Sequence, residues 1–82
     1  MLNPEPLPLD EIYVPAKLRK TLDAAEVEAI AESILEEKDQ RPIQVRRGKG
    51  RYVLIKGLHR LEAVRALGEP TIDALIVQAR RS

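Results

Sequence analysis

Val27, Ile30, Ala31, Ile34 and Leu35 recur at i, i+3, i+4, i+7 and i+8, the spacing of one buried helix face. Glu28, Glu32, Glu36 and Glu37 fall on the opposite side. Asp23 stands where an N-cap is needed, and Glu26 three residues on completes a capping-box spacing. The pattern predicts a helix from about Ala24 to Glu37. Acids in its last turn oppose the helix dipole, so its stop is weak. Before it, Leu9 to Val14 mixes apolar and polar positions and halts at Pro15, which predicts a short strand. After it, Arg41-Pro42 breaks the helix. Ile43 to Arg47 alternates as a strand, Gly48-Lys49-Gly50 makes a hairpin-like turn, and Arg51 to Ile55 returns as a second strand. The run Tyr52-Val53-Leu54-Ile55 predicts a central strand covered on both faces. Gly57 follows, and Leu58, Leu61, Val64 and Leu67 mark a helix from Leu58 to Leu67. Gly68 is suited to the C′ position and Pro70 blocks continuation. Thr71 to Val77, rich in β-branched residues, predicts the last strand. Residues 1–8 are expected as a flexible proline-rich lead-in and residues 78–82 as a basic tail. The order β-α-β-β-α-β implies one α+β domain over residues 1–82, a small mixed sheet packed with helices.

Composition narrows the chemistry. Eighty-two residues suffice for one domain with a thin stability margin. There is no cysteine, so disulfides, thiolate zinc sites and a cysteine nucleophile are excluded. One histidine cannot build a multi-histidine metal site, and no protein metal site is expected. Two tyrosines, with no Phe or Trp, leave little platform for stacking single-stranded bases. No apolar run approaches the ~18–20 residues of a membrane span, and the acidic, proline-rich start is unlike a signal peptide. A soluble cytoplasmic protein without a membrane partner is the expectation.

The net charge of +1 conceals an asymmetry. Glu5 to Glu37 holds nine acids and three bases, whereas Lys38 to Arg65 holds nine bases and two acids. A polyanion or nucleotide would meet the second half. The plainer alternative is that these charges pair across the surface.

The segment Tyr52-Val-Leu-Ile-Lys-Gly-Leu-His-Arg-Leu-Glu-Ala63 is the most informative. An apolar strand ends, a glycine turns the chain, and a helix opens at once. Unpaired N–H groups at a helix start attract anions. Lys56, His59 and Arg60 flank that start, where cations oppose the dipole unless an anion lies among them. Arginine would clamp phosphate as a fork, and histidine would donate one bond. The alternative is structural: Glu62 pairs with a base and His59 packs half-buried. No Walker A or dinucleotide fingerprint is present. A Ser–His–acid triad would need Ser33 or Ser82 at His59 without a nucleophile elbow. Metal-bound nuclease chemistry would need clustered acids, and Glu62 is the one acid near the glycine turn.

The residues Leu9…Ile12…Pro15…Arg19, Leu22-Asp23…Ser33-Ile34, Pro42-Ile43-x-Val45, Tyr52-x-Leu54-Ile55-x-Gly57-x-His59-Arg60-x-x-Ala63 and Gly68…Ile72-x-Ala74 resemble the N-terminal domain of ParB-type proteins, in the ParB/sulfiredoxin superfamily. The resemblance covers about Leu7 to Val77. It implies a nucleotide-binding α+β fold. In ParB proteins the glycine turn and the following helix bind the CTP triphosphate with Mg2+, and in sulfiredoxin a Gly-Cys-His-Arg turn binds ATP phosphates. Carried over by position, Gly57, His59 and Arg60 would hold phosphate, and Lys56 and Leu58 of the same turn complete the candidate phosphate site. Arg19 would lie near the ligand, Ser33 would face the pocket, and Pro42 and Ile43 would line its wall. Two departures matter. Leu58 replaces the sulfiredoxin cysteine, which removes sulfinic-acid reduction. Leu58-His59-Arg60 replaces the Glu-Arg-Arg of ParB, which leaves CTP or ATP open. ParB proteins continue into a helix-turn-helix DNA-binding domain and a dimerisation domain. This chain is either a standalone version or one piece of such a protein.

Three functions follow as expectations. The first is a nucleotide-binding module linked to DNA partitioning or transcriptional regulation, with a homodimer as a further expectation. The second is a small enzyme using the same site: a triphosphatase, a kinase or a nuclease. The third is a non-specific DNA-backbone binder using Arg41, Arg46, Arg47, Lys49 and Arg51.

Overall fold

The computed structural model describes residues 3–38 and 41–78. Its elements are β1 (Glu5–Pro8), a 3-10 turn (Leu9–Glu11), β2 (Ile12–Tyr13), α1 (Ala16–Arg19), α2 (Ala24–Leu35), β3 (Ile43–Arg47), β4 (Tyr52–Lys56), α3 (Leu58–Ala66) and β5 (Thr71–Ile76). The strands form one mixed sheet in the order β1-β5-β3-β4-β2. β1 runs antiparallel to β5, and β3 antiparallel to β4. β5 lies parallel to β3, and β2 parallel to β4. The expected mixed α+β sheet with its two main helices is therefore present, with β1 and α1 added.

Every buried position of β3 and β5 falls on one face. Ile43, Val45, Ile72 and Ala74 point there, joined by Leu54 of β4. Leu58, Leu61 and Val64 of α3 pack onto that face, and Leu7, Leu9, Ile12 and Val14 close it at the N-terminal side. The period of two in the strands meets the period near 3.6 in α3, as a two-layer core requires.

Several expectations need correction. Residues 5–8 of the lead-in form an edge strand, with Leu7 paired to Ile72 and buried. Pro6 and Pro8 disguise it, yet an outer strand can dispense with the N–H groups that proline lacks. The strand expected from Leu9 to Val14 splits. Leu9 donates its N–H to the Pro70 carbonyl at 3.0 Å and starts the 3-10 turn, leaving two residues for β2. α1 was hidden by its shortness. Pro15 stands at its N-cap, and Leu18 packs against the core.

β4 is not the central strand; β3 is. β4 is covered on both faces only at Val53 and Leu54, which are 7% and 2% exposed; Ile55, on the same face as Val53, is 40% exposed, so the cover ends before the strand does. α2 stops at Leu35, with Glu36 as C-cap and Glu37 in the left-handed region at φ 58. Lys38 N–H donates to the Ser33 carbonyl and Glu37 N–H to the Ile34 carbonyl, both at 2.9 Å. That is a Schellman stop built without glycine. Leu35 turns out of the predicted buried face and is 69% exposed. α3 stops the same way at Gly68, where φ is 80, as the sequence predicts. β5 ends at Ile76. Gln78 has no regular structure, and the rest of the basic tail lies outside the described residues. Among the described residues no helix is long and apolar enough to cross a membrane.

Candidate functional site

α2 buries none of its residues fully. Its apolar face is only half-covered, and this leaves a cleft between α2, the start of α3 and the strand ends. Gly57 forms the turn into α3 with φ 107 and ψ 30, a conformation costly for any residue with a Cβ. A Cβ here would also lie 2.6 Å from Ile43 Cγ2 and 3.2 Å from Ile43 Cα. Glycine is thus required by the packing of β3 under the turn, and the sequence-level reading of a close ligand approach is not needed to explain it. Ile43 itself is 1% exposed and supports the turn from below.

The first bond inside α3 runs from Leu61 N–H to the Gly57 carbonyl, 2.9 Å. No side chain caps the helix. Its first turn, residues 58–60, opens on a cleft of about 500 Å³ together with Lys56 and Gly57. Arg41, Pro42 and Gln44 line a second wall, and Glu26 and Ile30 of α2 a third. Three bases, Arg41 of the loop before β3, Lys56 at the end of β4 and Arg60 of α3, therefore line the cleft on which this helix N-terminus opens. Arg60 is 8% exposed, the one buried charged residue among those described. Its guanidinium is satisfied, since no buried side-chain nitrogen or oxygen is orphaned among the described residues. Arg41 and Arg60 also line an adjoining cleft of about 610 Å³ toward Ile34, Leu35 and Asp73.

His59 has a structural role that the sequence did not reveal. Its Nε2 accepts the Asp23 N–H at 3.0 Å, and Glu26 Oε2 lies 3.4 Å from the same nitrogen. An accepting Nε2 leaves Nδ1 as the protonated ring nitrogen. The capping box is consequently only half-formed. Asp23 Oδ1 accepts Ala25 N–H at 3.0 Å, but the Asp23 N–H goes to His59 and not to Glu26. Glu26, Ile30, Gln44 and Leu75 are the lining residues that sequence reasoning missed. They come from α2, β3 and β5, and no local spacing connects them to Gly57.

The remaining candidates separate. Arg19 lies in another cleft, of about 570 Å³, with Tyr13, Leu22, Glu62 and Arg65. Leu58 stands between that cleft and the one at Gly57 and lines both. Ser33 is half-buried and lines neither. Pro42 reaches the cleft wall, while Ile43 lies beneath the turn. The basic stretch is divided too. Gln44 pairs with Lys56 at the cleft end of the hairpin, and Arg47 pairs with Tyr52 at the other end. Three residues of strand put about 10 Å between these ends. Arg41 thus joins the cleft, and Arg47, Lys49 and Arg51 belong to the hairpin tip.

The family model for the ParB N-terminal domain matches residues 4–82. Comparison with curated proteins gives no match. Among solved structures, sulfiredoxin from Arabidopsis thaliana superposes with a TM-score of 0.78 at 34% identity, over 96% of this chain and 86% of that one. The C-terminally truncated chromosome-partitioning protein ParB from Caulobacter crescentus, complexed with CTP-gamma-S, gives 0.78 at 23% identity, over 95% of this chain and 46% of that one. A free serine kinase variant in complex with AMP gives 0.80 at 23% identity, over 93% of this chain and 31% of that one. The chain spans most of the sulfiredoxin but under half of the ParB and under a third of the kinase structure. With a family match across nearly its whole length and a sulfiredoxin of the same fold at 34% identity, this chain belongs to the ParB N-terminal domain family of the ParB/sulfiredoxin superfamily.

Proposed function

We infer that this domain is a nucleotide-binding module that seats the phosphates of CTP or ATP at the glycine turn of residues 57–60. The observation that carries the reading is that Arg41, Lys56 and Arg60 line the cleft on which an uncapped helix N-terminus opens. Backbone N–H groups with partial positive charge and forked guanidinium donors suit phosphate oxygens. The family context supports it, because related structures hold a CTP analogue, AMP and ADP. Mg2+ would reach this site mainly through phosphate oxygens and water, with Glu26 the carboxylate that lines the cleft. Among the described residues no group of three His, Cys, Asp or Glu could hold a metal alone. Leu58 stands where the resemblance places the sulfiredoxin cysteine, and the 82 residues contain no cysteine. A thiol step is therefore not assigned to this chain. A role in DNA partitioning or gene regulation in the cytoplasm is part of the same proposal, and the ParB N-terminal domain match is what supports its partitioning arm.

The test is a thermal-shift panel of the four nucleoside triphosphates, each with and without Mg2+. A ligand at about 100 times its Kd stabilises by ~2.7 kcal/mol. For a domain of this size that raises Tm by about 10–20 °C. Lys56→Ala removes an exposed cation without opening the core and should shrink the shift. No shift with any of the four overturns the reading.

The presence of one carboxylate, Glu26, in the lining of the cleft favours a second reading, in which the same cleft transfers or hydrolyses the terminal phosphate. Phosphate release that depends on Glu26 would support it. A bound but unreacted triphosphate would rule it out.

A further inference from the structure

The sheet face turned away from the core carries a basic and apolar patch. Val45 and Leu54 point into the core, so their chain neighbours Arg46 and Val53 point out on the other face. Register sets Tyr13 beside Val53 and Val53 beside Arg46, and Ile55 follows on the same face. Tyr13 is 39% and Ile55 40% exposed. The Arg51 guanidinium lies 3.9 Å from the Tyr13 ring centroid and joins this face. Arg46 is half-buried, yet it makes no hydrogen bond or ion pair among the described residues.

The helix side carries the opposite pattern. α3 packs on the core face of the sheet, and α2 packs on α3. Glu28, Glu32 and Leu35 stand at i, i+4 and i+7 and form one exposed stripe of α2. Leu35 is 69% exposed, and neither Glu28 nor Glu32 pairs with a base among the described residues. Tyr13, Ile55 and Leu35 are three of the four large apolar side chains exposed among the described residues.

We propose that copies of this chain associate head to tail, with the Glu28–Glu32–Leu35 stripe of one docked on the Tyr13–Val53–Arg46–Ile55 face of the next. Leu35 covers Ile55, and the two carboxylates reach the Arg46 and Arg51 guanidiniums, which leaves no charge unpaired in the contact. The dimensions agree. The stripe is ~10 Å long, and the face from β3 to β2 crosses two strand spacings, again ~10 Å. Two such sheet faces do not suit each other, because Arg46 would meet a second Arg46. The stripe and the face lie on different sides of the sheet, so each copy keeps one free surface and the contact does not close into a pair. A surface of this size gives weak association. None of these residues lines the cleft at Gly57, so the test does not depend on the nucleotide reading.

The experiment is sedimentation velocity of the whole chain from about 10 μM to about 1 mM. At about 50 mM salt the mass should rise with concentration and pass that of a dimer. Arg46→Glu and Glu32→Lys should each weaken association about tenfold or more, with Tm little changed. Leu35→Ser, at an exposed helix position, should weaken it without altering charge. Arg46→Glu and Glu32→Lys together in one chain exchange the two charges and should restore association. A chain that stays monomeric at the highest concentration leaves this face to a different partner and overturns the proposal. So does a dimer that grows no further, a single variant that associates like the parent, or a double variant no better than the singles.

Discussion

Replacing Gly57 by alanine tests the local geometry of the site more sharply than any other single change. Two costs add. The residue holds φ 107, and a Cβ in left-handed backbone costs about 1–2 kcal/mol. The new methyl would also lie 2.6 Å from Ile43 Cγ2 and 3.0 Å from Ile43 Cβ. Ile43 is 1% exposed on the middle strand of the sheet, so it has no room to retreat. Overpacking of that kind costs about 1–3 kcal/mol. The sum is about 2–5 kcal/mol, against total stabilities of about 5–15 kcal/mol for folded domains. At about 4–8 °C per kcal/mol, Tm should fall by about 10–40 °C. Gly50 supplies the control. It has φ 69 and nothing within 4 Å of its would-be Cβ, so Gly50→Ala carries only the backbone cost of about 1–2 kcal/mol. Chemical denaturation of both variants separates the two terms. A double-mutant cycle with Ile43→Ala isolates the contact, because Gly57→Ala should cost less once the Ile43 methyl is gone. Equal losses at Gly57 and Gly50, together with zero coupling to Ile43, would refute the reasoning.

Two further outcomes are expected. Gly68→Ala should destabilise the domain by about 1–2 kcal/mol, because it puts a Cβ into left-handed backbone at φ 80 with open space around it; urea denaturation reads it as a lower midpoint at constant slope. His59→Ala should cost about 0.5–1.5 kcal/mol by removing the acceptor of the exposed Asp23 N–H; faster hydrogen exchange at the start of α2, with α3 unchanged, is the signature.

Much of this fold is legible in the sequence, and particular residues explain the remainder. Val27, Ile30 and Ile34 announce α2 because a helix face repeats locally, and Ile43-x-Val45 announces β3 for the same reason. β1 is hidden because proline ordinarily argues against a strand, and only its outer place in the sheet removes the objection. The position of β4 was misread because an apolar run does not tell which neighbours a strand acquires. At the site, the sequence located the glycine turn and its adjacent bases, since strand, glycine and helix follow one another directly. It could not connect Arg41 or Glu26 to that turn, as both arrive through the tertiary fold. Arg19 was drawn to the ligand by resemblance, yet Leu58 separates it from the cleft at Gly57. The purpose of glycine at position 57 was also only half-visible. A ligand and a neighbouring isoleucine make the same demand for a missing Cβ, and only the three-dimensional packing tells them apart.

The most direct test of the account is an amide NMR titration with CTP and ATP, each with Mg2+. Phosphates seated on the start of α3 should shift the backbone N–H signals of Gly57, Leu58 and His59 most, and leave Gly50 at the hairpin tip unmoved. Saturating nucleotide that leaves these three signals in place, or moves others instead, would contradict it.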